Sequence, residues 1–347
     1  MTPEHLPTLP SRKLGRTALT PTVLGLGGAP LGNLFQIITE QASDEIVREA
    51  LARGITFFDT APWYGHGLSE HRLGRVLWHV ERSSIIVSTK IGRVYRRPTD
   101  LGAFSPNPWA GGLSFQLHFD YSGAGVRRSY DDSLLRLGLN RVDSLVIHDL
   151  DGIYHSKEQL QRHRADLEGG GWIELERMRA AGEIAAVGAG INDSSEMRYF
   201  LDRFDLDFFL VAMPYTLLDQ APLRNELAEC LKRRIAIVIG SPYASGILAT
   251  GPVRGAIYNY QPATPEILAK TQRILDTCTE FGVSLQAAAL QFPLAHPAVS
   301  AIIPGATAHE MVAANVSGCR APIPSELWST LKARGLILPE APVPGAS

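Results

Sequence analysis

The chain has 347 residues, 45% of them apolar and 20% charged. It can bury a sizeable core, as one large α/β barrel or as two ordinary domains. A formal charge of −2, with no long run of Lys or Arg, excludes a nucleic-acid or anionic-membrane surface as its main business. Cys230, Cys278 and Cys319 are widely spaced and form no C-x-x-C pair, which excludes a disulfide framework or zinc knuckle and leaves buried, reduced thiols. Residues 1–16 lack the apolar core of a signal peptide, and nowhere do 18 apolar residues run together. The cytoplasm is therefore the expected compartment.

Taken in chain order, RKLGRTALTP reads as a short hairpin capping a barrel floor. The first strand-like run, 22–28, follows it. A helix is expected from Ser43, as N-cap, through Arg53 to a stop at Gly54. Further apolar β-type runs lie at 55–61, 84–92, 143–149, 184–192, 208–215, 235–243 and 299–306, giving eight in all. Amphipathic stretches stand between them, among them GWIELERMRAAG, LRNELAECLKRR and EILAKTQRILDTCTEFG. Eight such alternations predict a (β/α)8 barrel, one domain over 1–347 with its core at about 14–335, rather than an open doubly wound sheet.

Two stretches break the rhythm. Residues 93–125 are rich in Gly, Pro and aromatics (Trp109, Phe115, Phe119, Tyr121), and a loop of this length and composition reads as a lid over the barrel's C-terminal face. Residues 249–266, rich in Gly, Pro and Tyr, read as a second cover, over a cofactor. No domain linker or short internal repeat intervenes.

Barrel chemistry sits at the C-terminal ends of strands. There the second run supplies Asp59, with Tyr64 five residues on; the third supplies Lys90; the fourth supplies His148. Each alone is weak, since a lone strand-end Asp is often a cap, a lone Tyr or His a packing residue, and a lone Lys solvated. Together they make chemical sense. A nearby ammonium lowers a phenol's pKa from about 10, a carboxylate orients the amine, and an imidazole holds a substrate oxygen. The expected reaction is proton transfer at a carbonyl or alcohol oxygen, and the hydride must come from a cofactor. The run GLGGAP fails the dinucleotide-binding G-x-G-x-x-G pattern at Pro30. No H-x-H or H-E-x-x-H occurs, so no metal is expected. Asp149 and Asp151 read as loop or cap residues. Trp63 and Trp109 read as walls of the substrate pocket.

With FFDTAPWYG, the Lys of STK, the His of LVIHD, SPYASGIL and IPGAT in this order, the chain resembles the aldo-keto reductases from about Leu14 to Asn315. The resemblance implies a catalytic tetrad of Asp59, Tyr64, Lys90 and His148. It also implies a cofactor site drawn from Gly28, Ala29, Asn192, Ser241, Pro242, Ser245, Gly246, Pro304, Gly305, Ala306, Thr307, Met311 and Asn315. Ala212 stands where the family's usual Gln falls, and Gly240 where a Tyr stacks on nicotinamide. The positions that grip a 2′-phosphate in many members are Gly305 and Met311 here, and no Lys or Arg lies from 305 to 315. NAD is therefore expected rather than NADP, unless a residue such as Arg254 supplies the charge.

The RKLGRT and FDTAPWYGHGLSE stretches are most similar to the branch of aldose (L-fucose or D-threo-aldose) 1-dehydrogenases and pyridoxal 4-dehydrogenases. That branch implies oxidation of a small aldose at C1 to a lactone. The alternatives are pyridoxal oxidation, NADPH-dependent reduction of aldehydes and ketones, and a cofactor-binding regulatory subunit. The expected partner is a small sugar or aldehyde, and no apolar stripe on the helices decides an oligomeric state.

Overall fold

The computed structural model describes residues 9–345. Residues 1–8, part of the stretch read for a signal peptide, lie outside the described residues, as do 346 and 347 of the expected 1–347 domain. The barrel strands are β1 (Leu26–Gly27), β2 (Phe57–Asp59), β3 (Ile86–Ile91), β4 (Ser144–His148), β5 (Ala186–Ile191), β6 (Phe208–Val211), β7 (Ala236–Ile239) and β8 (Val299–Ile302). They pair in chain order, all parallel. Parallel bridges Leu24↔Ile302 and Gly27↔Gly305 join the last strand to the first and close the barrel. All eight expected runs contain a strand, each shorter than its apolar run because the pairing ends where the strand tips turn into loops.

The twofold period of a strand sorts side chains into two cores. Leu14, Phe57, Val146, Phe208, Val238 and Ala301 point into the barrel. Phe58, Leu145, Ile147, Phe209 and Ile237 point outward, against the helices. Leu14 belongs to the inner set, so the segment before β1, held by the antiparallel bridge Ser11↔Thr22, plugs the barrel floor as expected.

The first helix differs from its expected start. It spans Glu40–Ala52, because Thr39 rather than Ser43 accepts from the first turn, at Ala42 N. Ser43 is buried inside the helix, its hydroxyl returned to Glu40 O at 2.7 Å. Helices Trp172–Ala180, Glu226–Arg233 and Pro265–Glu280 form where the amphipathic pattern placed them. Among the described residues no helix is long and apolar enough to cross a membrane. Cys230 and Cys278 are buried free thiols, and Cys319 is half-buried.

The 93–125 stretch is partly regular. Arg93–Arg96 pairs with Gln116–Phe119 as an antiparallel hairpin, and the intervening chain returns to the barrel mouth through the bridge Leu34↔Trp109. Gly92, at φ +102°, starts the excursion. A side chain there would meet the Tyr121 ring at 2.3 Å. The 249–266 stretch likewise forms a small hairpin, Ile257–Tyr258 with Gln261–Pro262.

Candidate active site

Strand register brings the expected groups together. Lys90 Nζ donates to Asp59 Oδ2 at 2.6 Å and to the Thr60 carbonyl at 2.7 Å, with both side chains almost wholly buried. Nζ lies 4.8 Å from the centre of the Tyr64 ring, and the Tyr64 and His148 rings stand 5.9 Å apart, nearly perpendicular. Tyr64 is presented by the turn after β2, which is left-handed at Gly65, His66 and Gly67. At Gly65 a Cβ would come within 2.6 Å of the Gly32 carbonyl, so the turn and the Pro30–Gly32 helical turn touch backbone to backbone.

The electrostatics correct one expectation. Lys90 was expected to lower the Tyr64 pKa, yet that pKa is pushed well above the usual phenol value. Desolvation in the cleft is the main cause, and the charges of Asp59 and Asp149 add to it. The physical reason is that the Lys90 ammonium is already matched by Asp59, leaving little positive field for the phenol. Tyr64 thus rests as a neutral phenol. Burial raises the Asp59 pKa against the pull of Lys90. His148 is pushed well below the usual imidazole range by burial, then by the cations of Arg93 and Lys90, so it is a neutral ring. Its Nε2 lies 3.3 Å from Asp149 Oδ2, and its buried Nδ1 has no partner among the described residues.

These groups open onto a cavity of about 720 Å³. Trp63 and Trp109 meet edge to face with centres 5.3 Å apart; Tyr154 stands 5.2 Å from Trp63; and Leu34, Phe35, Pro108 and Ile153 complete an apolar wall. Trp109 also approaches Tyr64, at 5.5 Å between ring centres. Of the aromatics in the 93–125 stretch, only Trp109 lines the cavity. Phe115 is exposed, and Tyr121 is buried beneath the site, donating its hydroxyl to the His148 carbonyl at 2.7 Å. Of this stretch only Pro108 and Trp109 line the cavity; Tyr95 donates to the Pro62 carbonyl, and Phe119 packs on Arg93 and His155. Asn259, Tyr260 and Gln261 of the second excursion also line the cavity.

The expected cofactor residues divide. Ala29 and Asn192 line the cavity. Asn192 Nδ2 is spent on Asp149 Oδ1 and Asp151 Oδ2, both at 3.1 Å, which leaves only its carbonyl oxygen to meet an amide. Gly28 is tied by its N–H to the Asp59 carbonyl at 2.7 Å. Ser241, Pro242, Ser245 and Gly246 form the turn after β7, and Tyr243 in that turn donates to Asn315 Oδ1 at 2.6 Å. That bond ties the turn to the helix His309–Arg320, preceded by Pro304, Gly305, Ala306 and Thr307 and carrying exposed Met311. Gly305 packs on Pro30. The two groups thus form adjoining parts of one rim.

The floor next to His148 is made of Gly190, Leu210, Ala212 and Met213. With small residues at 190 and 212 and the Asn192 carbonyl beside them, this floor leaves room for a flat amide-bearing ring such as nicotinamide. A phenol, an amine–carboxylate pair and a neutral imidazole around such a floor can hold and pass a proton at one oxygen. No side chain supplies a hydride. Among the described residues no group of three or more His, Cys, Asp or Glu is placed to hold a metal.

Sequence reasoning missed Arg93 and Tyr154. Arg93 stands three residues past Lys90 at the same strand end, a position that could have flagged it. Tyr154 lies in an irregular loop that no periodicity marks.

Residues 23–334 match the model of the aldo/keto reductase family. Pyridoxal 4-dehydrogenase of Microbacterium luteolum is 40% identical over 96% of this chain and 99% of its own length. D-threo-aldose 1-dehydrogenase of a Pseudomonas species is 34% identical over 90% of this chain and 94% of its own. The holo form of an aldo-keto reductase from Bacillus halodurans superposes with a TM-score of 0.72 at 24% identity, covering 97% of this chain and 98% of that one. The chain belongs to the aldo/keto reductase family and is an NAD(P)-dependent oxidoreductase.

Proposed function

We propose that this chain, acting as one catalytic domain, oxidises the cyclic hemiacetal of a small hydroxy-aldehyde to its lactone with NAD, pyridoxal being the favoured substrate. The observation that carries this reading is the aromatic slot of Trp63, Trp109 and Tyr154 opening beside Tyr64 and His148. Of the polar groups lining it, Asp149 accepts from both Arg93 and Asn192. A flat ring with few hydroxyls suits such walls better than a sugar whose every hydroxyl needs a partner. The relative named pyridoxal 4-dehydrogenase supports the same choice. Pyridoxal closes on its own hydroxymethyl group to a hemiacetal, so the chemistry is that of an aldose at its anomeric carbon.

In this reading His148 holds the hemiacetal hydroxyl. Tyr64, once deprotonated, takes its proton, while Lys90 and Asp59 fix the phenol's position. A nicotinamide held on that floor would supply the hydride acceptor for the hemiacetal carbon, whose C–O bond then becomes the lactone carbonyl. Asn192 and the floor at Gly190 and Ala212 would hold the ring, and the 241–246 and 304–315 segments the rest of the dinucleotide. NAD is favoured over NADP because 305–315 carries no Lys or Arg and places Glu310 beside Met311, where a 2′-phosphate would be repelled.

An aldose is the second reading, favoured by the 34% identical relative and by the same hemiacetal geometry. The test offers NAD and NADP separately with pyridoxal, L-fucose, D-arabinose and L-galactose, following the reduced-nicotinamide absorbance and identifying the product by mass. Turnover with NAD and pyridoxal, giving the lactone, is expected. Turnover with a sugar alone moves the assignment to the aldose. A preference for NADP, or activity only as a reductase of open-chain aldehydes, overturns the proposal.

A further inference from the structure

We infer that Arg93 is the positioning residue of this site: its guanidinium locks Asp149 against His148 and backs the aromatic wall of the substrate slot. The inference rests on reading Tyr64 and His148 as the reacting pair. Arg93 is almost wholly buried, and Nη2 donates to Asp149 Oδ2 at 2.8 Å. Its Cζ lies 4.6 Å from the Trp63 ring, 4.9 Å from Phe119 and 5.3 Å from Tyr154, so the planar cation is caged by three aromatic faces. Two of those rings are walls of the cavity. The guanidinium itself does not line the cavity, and its role therefore passes through its neighbours.

Asp149 is held in an unusual conformation. Its φ is +50°, a left-handed backbone that costs a non-glycine residue energy. From there one carboxylate oxygen meets Arg93 and stands 3.3 Å from His148 Nε2, while the other accepts from Asn192. One carboxylate thus connects the arginine, the imidazole and the Asn192 beside the nicotinamide floor. Arg93 also leaves Nε and Nη1 buried without partners among the described residues. A buried cation with one hydrogen bond is an expensive way to stabilise a fold, and apolar residues of like volume usually do better. Its cost is explained if the charge serves the site.

The groups facing His148 are Lys90 at the end of β3, with Asp59 of β2 behind it, Tyr64 and Trp63 from the turn after β2, Asp149 next in sequence, and Arg93 from the hairpin. Taking away the Arg93 cation removes a repulsion from the imidazolium and lets the raised Asp149 pKa climb further, so the Asp149–His148 pair takes up a proton more readily. A cationic donor on the substrate oxygen favours its alkoxide and opposes departure of the hydride from carbon, so oxidation slows on the acid side.

The experiment compares wild type, Arg93→Met and Arg93→Lys in the full chain with NAD and pyridoxal. It reads kcat and KM from pH 6 to pH 9, and the His148 imidazole by NMR without substrate. For Arg93→Met, the His148 imidazole signals respond to protonation at a higher pH than in wild type, because one of the two cations opposing imidazolium is gone. Its kcat/KM at pH 6, relative to pH 9, falls about tenfold below the wild-type ratio. Arg93→Lys keeps the charge but loses the planar stack. Its pH profile matches wild type, and its KM rises roughly fivefold with kcat little changed. An unmoved His148 titration in Arg93→Met, or an unmoved KM in Arg93→Lys, overturns the inference, and the second result decides even where Arg93→Met does not fold. A wild type without turnover overturns the reading of the site instead, and the NMR titration still tests Arg93.

Discussion

Lys90→Met removes one member of a buried ion pair and leaves the other. The Asp59 carboxylate is almost wholly buried, its Oδ1 has no hydrogen-bond partner among the described residues, and Lys90 at 2.6 Å is the strongest influence holding its pKa down against burial. Without Lys90 that pKa climbs further above the unfolded value of about 4. A raised carboxyl pKa means that the folded protein binds the extra proton, so stability falls as pH rises from the unfolded pKa toward the folded one. The slope is about 1.4 kcal/mol per pH unit. Breaking a buried pair by removing one partner costs roughly 3–5 kcal/mol, and this slope makes most of the loss appear as pH rises above the unfolded carboxyl pKa. Urea denaturation of wild type and Lys90→Met at pH 5 and pH 8 should therefore show a gap that is small at pH 5 and several-fold larger at pH 8. The double variant Asp59→Asn/Lys90→Met, which has no charge to strand, should recover most of the loss. A gap independent of pH, or a double variant no more stable than Lys90→Met, would refute the reasoning.

Because Tyr64 rests as a phenol with its pKa raised, its base form grows tenfold with each pH unit, and kcat/KM for oxidation should rise with near-unit slope from pH 7 through pH 9; a plateau near pH 7 would contradict this. Trp109→Ala deletes ring contacts to Trp63 and Tyr64, each worth about 0.5–1.5 kcal/mol, and steady-state kinetics should show KM for pyridoxal raised about tenfold with kcat changed less. Met311→Arg places a donor on an exposed position of the helix His309–Arg320. With about 1.5–3 kcal/mol for a charge-assisted hydrogen bond, kcat/KM for NADP should rise about tenfold or more, with that for NAD little altered.

Eight apolar runs and the strand-end positions of Asp59, Lys90 and His148 were legible because strand register alone places them. Tyr64 was legible because a short, glycine-ended turn holds it to the same strand. Asp149 was read as a loop or cap residue; it lies in the loop after β4, where its side chain is the buried partner of Arg93. Nothing in local sequence distinguishes the two roles, since the pairing depends on a hairpin that spans 93–119. The direction of the Tyr64 shift was misread for a related reason. The Lys90 charge was counted, while its cancellation by Asp59 and the added field of Asp149 depend on distances of a few ångströms. Leu34 and Tyr154 reach the cavity from irregular loops that carry no periodic signal, and Tyr260 from the turn of the Ile257–Pro262 hairpin.

Tyr64→Phe tests the central claim most directly, since it removes one oxygen and keeps the ring against Trp109 and His148. NAD binding, followed by fluorescence titration, should stay within about twofold of wild type while kcat for hemiacetal oxidation falls roughly 10²- to 10⁴-fold. Turnover within a few-fold of wild type would show that the proton leaves by another route and that Tyr64 does not carry the chemistry.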